Sequence, residues 1–411
     1  MGSSSILEPI SMNRRIYSGL DIFLIWAGAN TCIATIFTGG LIAPRLGILL
    51  SILVIIIGSL VGGLILGLVG TLGYYYGLPT MVITRRVFGD RFSYLASFFN
   101  VIQLIGWASI LLYVSAEAIS VAIKSFSIVD GYLTDPVAWV IIIGVLETLY
   151  ALRGLEKIIW YHRISVVTLI IALIYESYFI IVSLLSNASS SLFMSNMDVD
   201  SLLWGLDIVL ATAISWSPLI ADYTRYSRSY SASLIGTWSG YTLTSILLYG
   251  LGALSAVVAN AYLGDPTEVA INLGLNTVFL YFIALSAITT NLINIYSAVV
   301  STQNIFPKTR YSILSLSYGT IILLLSIIPV FLLKFEYFLY YIGDLFIPLT
   351  IILVLHKYIG GDRAILPGIL TWIIGSGLSI YVTVSMGFGV SLIGIISTLA
   401  LYPLISKIFW R

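Results

Sequence analysis

Long apolar runs separated by short polar stretches repeat along the whole chain. Each is close to the length of a helix that crosses a bilayer, about 20 apolar residues, and they lack the alternating pattern of strands in a membrane barrel. We therefore predict an all-α polytopic membrane protein. Twelve membrane-spanning segments are expected, at 20–40, 46–73, 95–122, 136–152, 163–185, 202–221, 233–261, 275–300, 311–333, 335–356, 364–385 and 388–408.

Small and polar residues interrupt the first segment, DIFLIWAGANTCIATIFTGG. They include Gly28, Asn30, Thr31, Thr35 and Thr38. Where the backbone leaves the helix at membrane depth, its amide and carbonyl groups must form hydrogen bonds with protein or with something bound in a cavity. Freed carbonyls and small hydroxyls at such a break can bind a cation and a small polar substrate. The alternative is that these residues only let helices pack closely.

The sixth segment contains a second interruption. Pro218 removes a backbone donor and its ring clashes with the carbonyl of Ile214, and Thr212, Ser215 and Ser217 surround it. Two interrupted segments five apart predict halves of opposite orientation, an inverted repeat, although a simple kink is the alternative. The predicted organisation is an N-terminus at 1–19, a first repeat at 20–185, a second repeat at 202–356 and two extra helices at 364–411.

The positions of Lys and Arg predict the orientation. With a cytoplasmic N-terminus, sixteen of these residues lie inside and three outside, a positive-inside bias that puts both termini in the cytoplasm of a cell-membrane protein. The inside residues are Arg14, Arg15, Arg85, Arg86, Arg91, Arg153, Lys157, Arg163, Arg225, Arg228, Lys308, Arg310, Lys357, Arg363, Lys407 and Arg411, and the outside ones are Arg45, Lys124 and Lys334.

Composition agrees with this class. Of 411 residues, 59% are hydrophobic and 9% charged, which excludes a soluble globule. The net charge of +1 argues against a nucleic-acid partner, and the single cysteine, Cys32, excludes an intramolecular disulfide. The N-terminus lacks the apolar core and cleavage site of a removed signal peptide. We expect no cofactor, a lipid bilayer as surroundings and a monomer, with oligomers left open.

Five motifs spread over both predicted repeats carry a family resemblance. They are TGGLIAP (Thr38 to Pro44), GLPTMVITRRVFG (Gly77 to Gly89), NVIQLIGW (Asn100 to Trp107), SWSPLIADYTRYSR (Ser215 to Arg228) and ITTNLINIYSA (Ile288 to Ala298). In these motifs the chain resembles the first class of nucleobase:cation symporters, which includes cytosine, hydantoin and allantoin permeases. The resemblance covers the first ten segments. It implies a LeuT-like five-plus-five inverted repeat with helices 1 and 6 broken.

The resemblance also implies a function. The sixth and eighth segments are more similar to the branch that carries hydroxymethylpyrimidine, a thiamine precursor, than to cytosine permease. We therefore expect import of a pyrimidine-type nucleobase or thiamine precursor, in symport with Na⁺ or H⁺. A purine, hydantoin or allantoin-type heterocycle is the alternative substrate.

The family's sodium site implies a ligand set. It matches Gly28 and Thr31 in the first segment, and Ser286, Thr289 and Thr290 in the eighth. All of the ligands would be oxygens, as a hard cation prefers. The three hydroxyl residues are spaced i, i+3, i+4 and so share one helix face. The alternative is that they bond to carbonyls of their own helix.

The family's substrate site matches mainly the third segment. Trp107 lies near its middle, where its ring can stack on a flat heterocycle, and Gln103 lies one turn away. The alternative is that Trp107 only packs the core. The family's second stacking aromatic matches Ala213, with Trp216 a turn later, and this departure bears on the shape of the pocket. Asn294 is the candidate residue for recognising the polar edge of the substrate ring. The remaining candidates are Asn30, Thr212, Ser215 and Asn291.

Five carboxylates fall within or close to apolar segments: Glu117, Glu147, Glu176, Asp207 and Asp344. Intramembrane carboxylates often carry protons. Because of these residues, coupling to a proton stays a hypothesis together with coupling to sodium. The alternative is that some are protonated and only structural.

The cluster of Asp222, Arg225 and Arg228 differs, since it ends a helix at the predicted inside face, where it forms an anchor or gate latch. The resemblance implies an interfacial helix between the second and third segments, and a charged loop on the inside is the alternative. An intramembrane enzyme is disfavoured because the two histidines, His162 and His356, lie near predicted cytoplasmic ends without an adjacent nucleophile. A channel is disfavoured because no filter-loop repeat is visible.

Overall fold

The computed structural model describes residues 7–124, 131–153, 198–259, 277–359, 365–387 and 390–409, together with 271–272 and several positions between 171 and 182. Within these residues every extended regular element is helical. The helices are α1 (Gly19–Asn30), α2 (Ile33–Tyr76), α3 (Thr80–Lys124), α4 (Pro136–Ala151), α5 (Val199–Ile214), α6 (Ile220–Thr224), α7 (Tyr230–Val258), α8 (Thr277–Ile305), α9 (Tyr311–Ile327), α10 (Val330–Leu333), α11 (Phe335–Ile359), α12 (Ile365–Ser385) and α13 (Val390–Phe409), with 3₁₀ turns at Met12–Arg14, Tyr132–Thr134 and Ser217–Leu219.

Eight helical stretches of the described chain are long and apolar enough to cross a membrane, and α4 and α9 are shorter apolar helices. Two of the long stretches each contain two helices joined at a glycine. Gly47 (φ 72°) divides α2 into 33–46 and 48–76, and Gly89 (φ 69°) divides α3 into 80–88 and 90–124. Both glycines have a left-handed backbone that other residues rarely adopt. The helix predicted between the second and third segments is therefore present at 80–88.

Most predicted segments coincide with helices, with two exceptions. The fifth, 163–185, lies mostly outside the described residues. The ninth, 311–333, was predicted as one helix and is wrong only after Ile327, because α9 ends there and only the short α10 follows. Pro329 explains this end, since the residue before a proline is pushed out of helical geometry and Ile328 is extended.

Equivalent helices of the two predicted repeats pack against each other: α2 against α7, α3 against α8, and α4 against α9. The α2–α7 contact brings backbone onto backbone. A methyl group at Gly39 would lie 2.0 Å from the Tyr249 carbonyl oxygen, and one at Gly252 would lie 1.9 Å from that of Ile36. Small residues thus permit close helix packing here, as the alternative interpretation of the first segment proposed.

Residues predicted to be cytoplasmic gather at one end of α2. Arg86 lies 4.6 Å from the ring of Tyr76, and Lys357 lies 4.8 Å from the ring of Tyr75. Arg45, predicted on the opposite side, lies beside the other end of the 48–76 helix. Two of the predicted inside charges and one predicted outside charge therefore lie at opposite ends of one long helix.

Candidate functional site

The first predicted interruption is a break of two residues. Helix α1 ends at Asn30 and α2 begins at Ile33, with Thr31 and Cys32 between them. The Asn30 carbonyl accepts hydrogen bonds from the Cys32 amide at 2.8 Å and from the Thr35 hydroxyl at 2.7 Å. Residues around the break therefore supply some of the hydrogen bonds that the interrupted helix leaves unmade.

The Asn30 side chain connects this break to α7. Its Nδ2 lies 2.8 Å from Ser245 Oγ, 3.0 Å from Thr244 Oγ1 and 3.3 Å from the Tyr241 carbonyl oxygen. The amide is buried, so these bonds replace water that it cannot reach. Asn30 thus positions the first break.

The second interruption runs from Ser215 to Leu219 and is longer. Helix α5 ends at Ile214, Pro218 lies in a single 3₁₀ turn, and α6 begins at Ile220. Two neighbouring helices bind the unwound stretch. Gln103 Nε2 of α3 donates to the Ser215 carbonyl at 2.9 Å, and Ser217 Oγ lies 2.5 Å from Thr350 Oγ1 of α11.

A cavity lies beside both breaks. Six of its lining residues were predicted as site residues: Trp107, Thr212, Ser215, Trp216, Thr290 and Asn294. The others are Cys32, Ala34, Thr35, Leu104, Leu111 and Leu219. None of these lining side chains carries a charge. Because a buried charge without a partner is costly, the cavity suits an uncharged ligand.

Two tryptophans give the cavity its aromatic surface. Trp107 packs edge-on against Phe335 and Phe338 of α11, with ring centroids 5.6 and 5.5 Å away. Its indole Nε1 is buried without a hydrogen-bond partner in the described part of the chain. Trp216 packs edge-on against Trp26 at 6.0 Å.

The departure at Ala213 has a packing cause. Its methyl group faces Gly62 of α2, where an added Cβ would lie only 2.5 Å away. An aromatic ring at position 213 has no room on that face. Trp216, in the unwound stretch, is the residue of this segment that brings an aromatic ring to the cavity.

Three predicted substrate residues are not on the cavity wall. Asn30 binds α7, and Gln103 binds the Ser215 backbone and Asn100 Oδ1. Asn291 donates from Nδ2 to Glu147 Oε2 at 2.6 Å. Gln103 still acts close to the cavity, because it holds the backbone of a lining residue.

The predicted ion ligands divide into two groups. Thr290 lines the cavity, and its buried hydroxyl has no partner among the described residues. The hydroxyls of Thr31 and Thr289 bond to carbonyls four residues earlier, at 2.6 and 3.2 Å, as the structural alternative predicts. The Gly28 carbonyl accepts the Thr31 amide at 3.2 Å. The side chain of Ser286 lies outside the described residues, while helices α1 and α8 are in contact.

Sequence reasoning assigned no role to several lining residues. Cys32 lies in the first break and Thr35 lies just after it, and the interruption itself was the signal that could have found them. Leu104 and Leu111 are spaced with Trp107 at i, i+3, i+7, the pattern of one helix face. Listing the other residues on the helix face of Trp107 would have identified both leucines as candidate lining residues.

The remaining carboxylates have separate partners. Asp207 accepts the Ser391 amide at 2.8 Å, and Asp344 accepts the Thr383 hydroxyl at 3.0 Å. Glu117 is half-buried in α3, and Glu176 lies outside the described residues. No group of three His, Cys, Asp or Glu side chains that could hold a metal occurs in the described chain.

Asp222 joins α6 to the start of α3. Its Oδ1 accepts the Thr80 amide at 3.1 Å, and Thr80 Oγ1 accepts the Ala221 amide at 2.9 Å. This reciprocal pair occurs at the end of the molecule where the predicted inside charges gather. Arg225 lies 5.0 Å from the ring of its neighbour Tyr226.

Two broken apolar helices beside a shared cavity are typical of a secondary transporter. A family model described as a permease for cytosine/purines, uracil, thiamine and allantoin matches residues 9–404, and the chain belongs to this family. A putative purine-cytosine permease of Bacillus subtilis strain 168, YxlA, is 24% identical over 376 residues, which cover 86% of this chain and 78% of that protein.

Solved transporters share the fold. An inward-facing structure of Mhp1 matches with a TM-score of 0.81 at 16% identity, covering 100% of this chain and 94% of Mhp1. A closed structure of Mhp1, a nucleobase-cation-symport-1 transporter with bromovinylhydantoin bound, gives 0.80 at 15% identity, with coverages of 99% and 95%. A Na⁺-coupled sialic acid symporter gives 0.68 at 15% identity, with coverages of 97% and 91%.

These matches confirm the predicted family and the all-helical inverted-repeat fold with broken helices 1 and 6. The chain is a multi-pass membrane transporter of the nucleobase:cation symport type and not an enzyme.

Proposed function

We propose that the protein imports a neutral, flat nitrogen heterocycle across the cell membrane, with both termini in the cytoplasm. The first candidates are pyrimidine-type nucleobases and thiamine precursors, namely cytosine and hydroxymethylpyrimidine. Import occurs by alternating access in symport with a cation. The observation that carries the proposal is the uncharged cavity beside the two breaks, which has both tryptophans and an asparagine on its wall.

The chemistry of the cavity wall supports this substrate class. Trp107 and Trp216 supply aromatic surface for a flat ring. Thr35, Thr212 and Asn294 supply the few polar groups that such sites use to fix orientation.

Asn294 is proposed to select among rings. Its amide carries both donors and an acceptor, as the edge of a pyrimidine does. No side-chain hydrogen bond of Asn294 to the described chain competes for these groups, and the residue lies on the cavity wall. A ligand with mismatched donors would leave the buried amide unpaired, which costs about 1–3 kcal/mol.

Sodium is the first candidate for the coupling cation. The oxygens of Gly28, Thr31, Thr289 and Thr290, with Ser286, form an all-oxygen donor set of the kind that hard cations prefer. The unpartnered hydroxyl of Thr290 supports this assignment. A proton is the second candidate.

A hydantoin-type, purine or allantoin-type substrate is the second proposal. Mhp1 has bromovinylhydantoin bound in one of the matching structures, and the family description includes purines and allantoin. These rings are also flat, so the tryptophans alone do not distinguish them from pyrimidines.

A binding panel on the purified protein tests the substrate proposal. Cytosine, hydroxymethylpyrimidine, uracil and hydantoin are titrated against the parent, Trp107→Ala and Asn294→Ala. Stacking contributes about 0.5–1.5 kcal/mol beyond area burial and is available to any flat ring, so Trp107→Ala should weaken all ligands together. Asn294→Ala should flatten the preference among them. Unchanged affinities in the Trp107 variant would move the pocket elsewhere.

Uptake into proteoliposomes tests coupling. Accumulation of the tightest ligand against its gradient should be abolished by an ionophore. Thr290→Ala should raise the sodium concentration needed for uptake by an amount that corresponds to about 1–3 kcal/mol, the range for bonds to charged groups. Thr320→Ala, at an exposed hydroxyl of α9, is the matched control. Uptake by the parent that ignores sodium would refute the sodium assignment.

A further inference from the structure

A buried carboxyl and a buried amide pair up on the side of α8 that faces α4. Glu147 is 3% exposed and Asn291 is 0% exposed. Asn291 Nδ2 donates to Glu147 Oε2 at 2.6 Å. The pair joins α4 to the helix that carries Thr290 and Asn294 on the cavity wall.

The second oxygen of each group is left without a donor. Glu147 Oε1 and Asn291 Oδ1 are both buried, and neither has a hydrogen-bond partner in the described chain. An ionised carboxylate and an amide oxygen are both acceptors, so they cannot satisfy each other. A single proton on Oε1 converts it into a donor. A carboxylic acid and a primary amide can then exchange two hydrogen bonds, which removes both orphaned acceptors.

No cation is available from α3 to compensate an ionised Glu147. Helix α4 runs antiparallel to α3, and a methyl group at Gly144 would lie 3.1 Å from Leu112. Glu147, one turn further along α4, therefore faces the turns of α3 that precede Leu112. The sequence between Tyr94 and Tyr113 contains no titratable residue.

The other described elements that pack on α4 contribute only tyrosines as titratable groups. They are Tyr281 and Tyr296 in α8, Tyr311 and Tyr318 in α9, and Tyr132 in the 3₁₀ turn. Tyrosines are neutral near physiological pH. Within the described residues the sole ion pair is Arg85–Asp90, at 3.4 Å. Among the described residues, a charge on Glu147 would therefore be buried without a counter-ion, a costly state in a membrane protein.

We propose that Glu147 and Asn291 form a proton-binding site that couples proton movement to transport. The Glu147 carboxylate takes a proton from outside water, forming the Oε1–H bond, and returns it to inside water when the transporter opens inward. One proton accompanies each substrate, with no redox change. Asn291 directly follows Thr290 and lies one turn before Asn294, so the state of the pair acts on the helix that lines the cavity.

This inference rests on the proposed transport of a neutral heterocycle, and it does not depend on sodium. Glu147→Gln is the informative variant, because a glutamine can donate to Asn291 Oδ1 and accept from Nδ2 without a proton. It therefore imitates the protonated pair permanently. Its fold and its binding of the panel compounds should be retained.

Infrared spectroscopy of the purified full-length protein tests proton binding without any ligand. The parent should show a protonated-carboxyl carbonyl band that titrates with pH and is missing in Glu147→Gln. A Glu147 band that does not titrate over the pH range in which the protein stays folded would overturn the proposal. Glu147 would then be a permanently protonated residue with a structural role. This result is independent of which substrate is carried.

Proteoliposomes with a trapped pH dye test coupling, with cytosine as the first probe and the tightest panel compound as the second. Entry of substrate should acidify the lumen in the parent. Above the midpoint, uptake should fall by about tenfold per pH unit for one coupled proton. Glu147→Gln should lose both effects.

The matched control for this assay is Asp344→Asn, which neutralises a buried carboxyl bonded to Thr383. The control should keep substrate-driven acidification. Acidification by Glu147→Gln equal to the parent's would overturn the proton site. If instead no panel compound binds or enters, the substrate proposal fails. The infrared titration still tests whether Glu147 binds a proton.

Discussion

The two broken helices are held by different neighbours. At the first break, Asn30 bonds to α7, and Thr35 returns to the Asn30 carbonyl. At the second break, the Ser215 carbonyl is bonded to Gln103 of α3, and Ser217 is bonded to Thr350 of α11. The first break is thus fixed by its own chain and by one helix that packs closely along both α1 and α2. The second is fixed by two helices from different parts of the molecule.

This difference assigns different tasks to the breaks. Bonds inside one closely packed helix group can persist while the group moves. Bonds from a break to other groups must change if those groups move relative to each other, as alternating access requires. We therefore expect the first break to be a stability determinant and the second to be a determinant of conformational equilibrium. Three substitutions test this comparison.

Asn30→Ala should have the largest effect, and mainly on stability. It removes an amide with three acceptors within 3.3 Å on α7, leaving buried polar groups unsatisfied. We expect a loss of about 2–3 kcal/mol in the free energy of unfolding, measured by thermal or denaturant unfolding in detergent.

Thr244→Ala, which removes one of these three acceptors, is the control and should cost less. An Asn30→Ala protein that unfolds like the parent but no longer binds any panel compound would contradict this assignment. It would instead make Asn30 a direct substrate ligand, as the sequence alone predicted.

Sequence reasoning located both breaks because helix-breaking and polar residues are costly at membrane depth and concentrate where a helix is interrupted. Pro218, and the cluster around Asn30 and Thr31, were visible without coordinates. The cavity residues Trp107 and Asn294 were predicted from family motifs, and both line the same cavity in the structure.

The direction of side chains was harder to predict. Gln103 and Trp107 are spaced i, i+4, yet Gln103 bonds to the backbone of the second break while Trp107 lines the cavity. Asn291 and Asn294 similarly face different neighbours, because residues three apart on a helix differ by about 60° in direction. The rotation of a helix about its own axis decides which of two adjacent faces meets the cavity. This rotation cannot be predicted from the residue pattern of a single sequence.

Gln103→Leu should have an intermediate effect, and mainly on binding. The substitution removes the donors to the Ser215 carbonyl and to Asn100, so the second break loses its tie to α3. We expect binding of every panel compound to weaken by about 1–2 kcal/mol, with a smaller loss of unfolding free energy than in Asn30→Ala.

A selective loss for one ring would contradict this expectation for Gln103. Its Oε1 is buried without a partner among the described residues, and selective loss would mean that this oxygen reads the substrate directly. Binding constants for the full panel distinguish the two outcomes.

Ser217→Ala should have the smallest energetic effect, and mainly on conformational equilibrium. It removes the 2.5 Å hydroxyl pair with Thr350, which leaves the second break less firmly held against α11. A neutral hydrogen bond contributes about 0.5–1.5 kcal/mol, or roughly two- to tenfold in an equilibrium constant. Cys32, the single cysteine of the chain, lines the cavity and is 4% exposed. Its alkylation rate therefore reports opening and should rise by that factor.

The double variant Ser217→Ala/Thr350→Val decides whether the two hydroxyls act as a pair. If they do, the second substitution should add little to the first, because removing both partners leaves no unsatisfied group behind. If they act separately, the two effects on the alkylation rate should multiply. An alkylation rate equal to the parent's in Ser217→Ala would show that this contact does not restrain opening. The second break would then be restrained through Gln103 alone, and the contrast between the breaks would depend on α3 and not on α11.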